Sequence, residues 1–367
     1  MALVYGADPA ARRASLCQSP SDSHRLSRKR AVDRSARGVR VNVSFEDVVE
    51  AGARCLQQEG VESSTAEAVV RHMATADLWG RHSHGLTTRF AAAVASARSG
   101  AGRRRPRVID DAGARLVLDD TNGFGYGAGV MATDHLIERA GDHSLASVAL
   151  RNTSHTGMLG FLADRGARAG IVTLGFTHCR PMVTPPGGKA ALFGSNPIAF
   201  GFPAEPDPIL VDLSTAAVTY GALLVHRQDG TTLPDGVALD EDGNPTTDAE
   251  AAMSGAMMPF GGHRGGALAA AIQLMAGVMT GAHVFPKGNE GYGLLLIGLR
   301  RDAFGAADDY DRAVAEFAHG YLATPAVQVD DLRLPGSMRY RQARDAAGII
   351  EIPDELAIDL GLRGVSS

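Results

Sequence analysis

The sequence predicts an α+β or α/β protein, with a helical N-terminal subdomain and a mixed-sheet middle domain. Helix-start signals crowd residues 44–100, and from about Val108 short β-favouring runs alternate with helical stretches. A third observation excludes one architecture. No G-x-G-x-x-G follows a predicted strand, so a Rossmann sheet is not expected.

The elements follow in order. Ser44-Phe45-Glu46-Asp47 resembles a capping box ahead of Val48, Val49, Ala53 and Leu56, with Gly60 as the stop. Ser64-Thr65-Ala66-Glu67 repeats the device before Val69, Val70, Met73 and Ala76, and a third helix is predicted over Arg89–Ala97. Strands are predicted at Leu116–Leu118, Ser147–Leu150, Ile171–Phe176, Ile198–Phe202 and Ile209–Leu213, with helices at Met131–Ala140 and Met158–Ala169. Gly123 to Gly129 is glycine-rich but wrongly spaced for a dinucleotide loop. Residues 226–248 read as a polar loop or hairpin. Pro259 to Leu268 reads as a glycine turn feeding a helix, where free N–H groups and an Arg favour an anion. A strand (Gly293–Leu299), a helix (Asp309–Ala318) and a terminal helix from Pro353 close the chain. The expected divisions are a disordered basic tail (1–40), a helical subdomain (41–107) to which 250–290 returns, a mixed-sheet domain (108–249) and a completing C-terminal part (291–367).

Composition narrows the function. Hydrophobic content of 45% and charged content of 21% suit a globular chain with a substantial core. The first forty residues carry nine Lys/Arg against three Asp/Glu, so the remainder is more acidic than the formal −5 of the whole and offers no basic field for nucleic acid. No apolar run reaches membrane-spanning length, and the tail lacks the apolar core of a signal peptide. Cys17, Cys55 and Cys179 are too scattered for a disulfide framework or a CxxC metal site, which fits a reduced cytoplasmic setting.

Three polar patches could carry chemistry. His82-Ser83-His84-Gly85 places two histidines at a helix corner without an acidic partner at metal-ligand spacing. It suits proton transfer, or simply a helix C-terminus. Asn152-Thr153-Ser154-His155-Thr156-Gly157 follows a predicted strand, where α/β sheets place ligands, and offers an acid/base or merely a helix cap. The Gly-His-Arg-Gly turn at 262–265 is the third. Cys179 beside Arg180 is a further candidate, as a nucleophile with lowered pKa.

With these patches in view, the sequence from about 42 to 362 resembles the malate/L-lactate dehydrogenase family, the L-sulfolactate dehydrogenase-like group. That group includes ureidoglycolate dehydrogenase, diketogulonate reductase and piperideine-2-carboxylate reductase. The resemblance rests on the Ala76–Gly85 run, Ser154-His155-Thr156-Gly157, Pro185-Pro186-Gly187-Gly188, and Gly194-Ser195-Asn196-Pro197. Asp212-Leu213-Ser214-Thr215, Gly243-Asn244-Pro245, Pro259 to Gly265 and Leu334-Pro335-Gly336 extend it. It implies a non-Rossmann fold that binds NAD or NADP in the 108–249 domain, works as a homodimer, and passes hydride to or from C2 of a small 2-oxo or 2-hydroxy acid, or of a cyclic imine. It makes His155 the acid/base, with His84 and Ser83 beside it. It places Arg264, Arg89, Arg180 and Thr88 on the substrate. Cofactor contacts are implied for His178, Cys179, Gly187, Gly188, Asn196, Asp212, Leu213, Ser214, His263 and Arg264. No metal site is implied.

The chain also departs from the family pattern. Thr88 stands where an Arg is usual, with Arg89 one place late. Ala92 replaces a Tyr, Gln273 an acid, and Arg264 a Lys; Val237 stands near the place of a Trp. These departures imply an altered substrate, larger or less dependent on a carboxylate clamp, with Arg180 supplying the missing charge. A cyclic-imine reductase and a non-catalytic homologue are the alternative readings.

Overall fold

The computed structural model describes residues 39–121, 123–327 and 332–363, so the basic tail lies outside the described residues up to residue 38. β1 (Arg40–Ser44) leads into α1 (Phe45–Gln58), and Ser44 caps that helix by accepting the Asp47 N–H. α2 (Ser63–Leu78) starts earlier than expected, because Glu62 and not Ser64 is its cap; the longer carboxylate accepts the Thr65 N–H at 3.0 Å. A tight turn at His82–His84 separates it from α3 (Leu86–Arg98). α3 begins ahead of the expected Arg89 because Asp77 of α2 accepts the Leu86 N–H at 2.8 Å. That cap comes from a neighbouring helix, so local sequence does not show it.

β2 (Arg107–Ala112) and β3 (Arg115–Asp119) form a hairpin, after which α4 (Gly125–His143) absorbs the glycine-rich run. β4 (Leu145–Thr153), α5 (Leu159–Arg168) and β5 (Ile171–Thr177) follow the predicted alternation. β6 (Ile198–Phe202) and β7 (Ile209–Leu213) precede α6 (Tyr220–Asp229), which takes the first residues of the loop expected over 226–248. β8 (Ala238–Leu239), α7 (Ala249–Ser254) and β9 (Ala256–Met257) lead to α8 (His263–Ile272), which continues as a π-helical stretch, Gln273–Val278. The chain closes with β10 (Tyr292–Arg300), α9 (Ala307–Leu322), α10 (Ser337–Asp345), β11 (Ile349–Pro353) and α11 (Asp354–Asp359).

The central sheet has seven strands in the order β2-β3-β4-β10-β5-β6-β7, and only β3 and β4 run parallel. This mixed sheet is not a doubly wound one. Leu136, Leu150, Leu162 and Leu296 fill the layer between the sheet and helices α4 and α5. A second core joins α1, α2 and α3 to the two-stranded β1–β11 ribbon, through Leu56, Val70, Phe90 and Ile352. That ribbon ties both ends of the described chain together, a long-range pairing that neither segment announces alone.

Residues 250–290, expected to return to the N-terminal helices, go elsewhere. Ala252, Met257 and Ala269 complete a third core with Val183, Phe193 and Leu223. The π-helical stretch lies against β10, so closely that a Cβ on Gly293 would come within 1.8 Å of the Ala276 carbonyl oxygen. The boundary drawn at 249/250 therefore cuts through one packed unit. No helix among the described residues is long and apolar enough to cross a membrane.

Candidate active site

One cavity of about 430 Å³ is lined from the His82–His84 turn, the loops after β4, β5 and β7, the starts of α4, α6 and α10, and the faces of α2 and α3. The loop after β4 carries His155 and is tied down along its length. Thr153 donates to the Asp120 carboxylate at 2.6 Å, Ser154 Oγ accepts the Gly125 N–H at 3.0 Å, and His72 Nε2 accepts the Met158 N–H at 2.8 Å. Gly157, at φ +79°, passes so close that a Cβ would lie 2.6 Å from both His72 and Tyr126. Burial raises the Asp120 carboxyl to about 7, against the Thr153 hydrogen bond that opposes it.

His155 sits in a row of rings. Tyr126 meets it edge-on at 5.4 Å, and His84 stacks on its other side at 5.9 Å and 26°. Its Nε2 is buried and has no hydrogen-bond partner. Burial, and then the nearby Arg89 guanidinium, hold its pKa well below the usual imidazole value, so the ring is neutral at pH 7. His84 is lowered to about 4 by burial and then by Arg89, and its Nδ1 lies 3.1 Å from Ser83 Oγ. Arg89 donates to the Ser83 carbonyl at 2.7 Å and lines the cavity. Asp77 holds the corner from beneath, pairing with His82 at 3.1 Å while it caps α3.

His178 forms part of the opposite wall. Its Nδ1 accepts the Gly293 N–H and its Nε2 donates to the His283 carbonyl, so hydrogen bonding fixes the tautomer. Cys179 also lines the cavity, and burial pushes its thiol up, which disfavours the thiolate. The expected activation by Arg180 fails because burial outweighs a guanidinium that stacks over Tyr220 at 5.4 Å. Asp212 pairs with Arg339 of α10 at 3.0 Å, and Ser214 Oγ donates to the Ser195 carbonyl at 3.2 Å. Both Asp212 and Ser214 line the cavity.

The other sequence candidates lie outside it. Arg264 and His263 are exposed at the start of α8, and Gly187 and Gly188 are not on the cavity wall. Leu213 turns outward from the edge strand. Thr88 spends its hydroxyl on the His82 carbonyl at 2.7 Å, tightening the turn and not facing the site. Asn196 is fully buried and pins α8, donating to the Ala269 carbonyl at 2.9 Å and to Gln273 Oε1 at 2.8 Å. Gln273 in turn donates to the Val284 carbonyl. A carboxylate there could not donate, which accounts for the neutral residue. Val237 packs against the third core, and Ala92 leaves open space on the cavity wall.

Sequence reading missed Arg339, Arg81, Tyr126 and His72. Arg339 is almost fully buried, with one guanidinium nitrogen unpartnered, and Arg81 stands beside its pair with Asp212. The buried unpartnered nitrogens of His155 and Arg339 fit a site built to receive a polar, partly anionic ligand.

The model of the malate/L-lactate dehydrogenase family matches residues 43–360. The chain belongs to this family. Among its relatives, the (2R)-3-sulfolactate dehydrogenase (NADP(+)) of Chromohalobacter salexigens is 30% identical over 88% of this chain and 98% of its own length. The Delta(1)-pyrroline-2-carboxylate/Delta(1)-piperideine-2-carboxylate reductase of Pseudomonas aeruginosa is 31% identical over 87% and 98%. Among solved structures, the delta1-piperideine-2-carboxylate reductase of Pseudomonas syringae superimposes with a TM-score of 0.78 at 29% identity, over 88% of this chain and 99% of that one. The malate/L-lactate dehydrogenase fold thus extends over nearly all the described residues.

Proposed function

We propose that this protein is an NAD- or NADP-dependent oxidoreductase that exchanges hydride with C2 of a 2-oxo or 2-hydroxy acid, or a related compound, with His155 as acid/base. The observation that carries the reading is the neutral, buried imidazole with an unpartnered Nε2, in the wall of a cavity that also holds Arg89. A bound nicotinamide would provide the hydride chemistry, the difficult part of the reaction. Asp212, Ser214, Cys179, His178 and the Arg339 guanidinium are the residues to hold it. Arg89 binds the substrate carboxylate by charge-assisted hydrogen bonds, and Arg180 adds a second cation. His155 gives a proton to the substrate oxygen as a carbonyl is reduced and takes it back as an alcohol is oxidised. Ser83 and His84 fix the adjacent polar wall.

Reduction of a cyclic imine uses the same residues, since an imine nitrogen also needs a proton. The relation to the Pseudomonas aeruginosa reductase favours that variant. A non-catalytic role would leave the neutral His155 and its tethers without a purpose. We also propose a homodimer: α9 has no buried residue and exposes Phe317, Tyr321 and Leu322 along one side.

A panel of 2-oxo acids and cyclic imines, assayed with NADH and NADPH and followed by nicotinamide absorbance, tests the function. Turnover of any member is the expected result. No turnover, together with no shift of melting temperature on adding either nicotinamide, would overturn it. For the Arg180→Ala variant we expect KM for a turned-over acid to rise by about tenfold, as loss of a charged hydrogen bond does, with kcat kept. An unchanged KM removes Arg180 from the site.

A further inference from the structure

The cavity continues past the reacting groups into an apolar slot. Arg89, Ala92, Ala93 and Ser96 stand at i, i+3, i+4 and i+7 on α3, so they share one face, and all four line the cavity. Met73 of α2 and Phe124 line the same cavity and pack into the same core as Ala93 and Tyr126. Tyr126 then leads back to His155. Seven residues of helix separate Arg89 from Ser96, so the slot runs for about 10 Å along α3.

Resting on the oxidoreductase reading above, we infer that this slot takes the C3 substituent of the substrate. The preferred substrate is a monocarboxylic 2-oxo acid, or its 2-hydroxy partner, with an extended apolar chain or a ring. With its carboxylate on Arg89, the substrate's tail can run along Ala92, Ala93 and Ser96. No charged side chain stands there to receive a second anion. The cavity's other arginines stand at other elements, Arg339 and Arg81 around Asp212 and Arg180 over Tyr220. A dicarboxylate or a sulfonate would have to place its second charge against Met73 and Phe124, at a desolvation cost. Methylene groups placed there leave water.

The test is kcat/KM for pyruvate, 2-oxobutanoate, 2-oxohexanoate, phenylpyruvate, oxaloacetate and 3-sulfopyruvate with the better nicotinamide. We expect a rise of about fourfold per methylene from pyruvate to 2-oxohexanoate, carried mainly by KM, as burial of a CH₂ predicts. Ala92→Phe fills the slot from an exposed helix position, and should lower the ratio of 2-oxohexanoate to pyruvate activity by at least about tenfold. Ser96→Phe, further along the same face, is the second variant if the first fails to fold. A flat or falling series, a preference for oxaloacetate or sulfopyruvate, or an unchanged ratio in both variants overturns the slot while the oxidoreductase reading stands. An inert panel with no nicotinamide binding sinks both.

Discussion

Replacing His155 by Asn lowers kcat by about 10²–10⁴-fold, the usual worth of a positioned acid/base. Binding of the nicotinamide, read from a melting-temperature shift, is kept. The expected pH dependence has opposite limbs in the two directions. Burial and Arg89 hold the free imidazole neutral well below its ordinary value, so kcat/KM for oxidation of the alcohol is level above pH 6.5 and declines toward acid. For reduction the protonated ring is the active form, and kcat/KM climbs as pH falls. Both limbs vanish in the Asn variant. A substrate carboxylate on Arg89 offsets one of the charges that depress His155, so kcat titrates at higher pH than kcat/KM. Parallel profiles in the two directions, or full activity of the variant, would remove His155 from the chemistry.

The second large effect is expected at His72, a residue that does not line the cavity but packs behind its wall. Its ring is completely buried, stacked on Phe161 at 4.2 Å and edge-on to Tyr126 at 5.0 Å, while Nε2 accepts the Met158 N–H. His72→Phe keeps the stacking but leaves that N–H without an acceptor, costing about 1–3 kcal/mol of stability. It also loosens the loop that aims His155, so kcat should fall by up to about 10²-fold, the scale of small misplacements at a reacting centre. His72→Gln, whose side-chain oxygen can accept the same N–H, should recover much of the loss.

The variant also changes acid sensitivity. Burial lowers His72 to about 3, so the unfolded chain takes up a proton that the folded chain refuses. The stability this protects is present above pH 6.5 and lost as pH falls toward 3. Asp120, raised to about 7, acts in the opposite sense: its contribution is present at low pH and lost as pH rises through 7. The difference in melting temperature between wild type and His72→Phe isolates the first term. It should narrow steadily from pH 7 to pH 4, and a constant gap would show that His72 does not titrate with unfolding.

What was legible in the sequence was whatever is written locally. Ser154-His155-Thr156-Gly157 follows a β-favouring run, and a polar cluster at a strand's end reads as a site whether or not the sheet is known. The corner at Ser83-His84 was legible for the same reason. Arg264 stands apart from this cavity and exposed, at a glycine turn before an apolar helix that reads alike whether it faces a ligand or solvent. Arg339 was invisible from the other side. α10 is polar nearly all round, and only Arg339 and Tyr340 are buried, too few to set a period. The cap that Asp77 gives α3 and the pairing of β1 with β11 depend on partners nine and some three hundred residues away. Propensity has no access to such partners.

The position of β10 bears on how the chain is made. A ribosome releases β4 and β5 long before Tyr292 appears, and both strands need β10 as their neighbour in the finished sheet. Until then the growing polypeptide presents two unzipped hydrogen-bonding rims to the crowded cell. Closure waits for a late arrival threading between them, a high-separation contact of the kind that slows folding and invites chaperones.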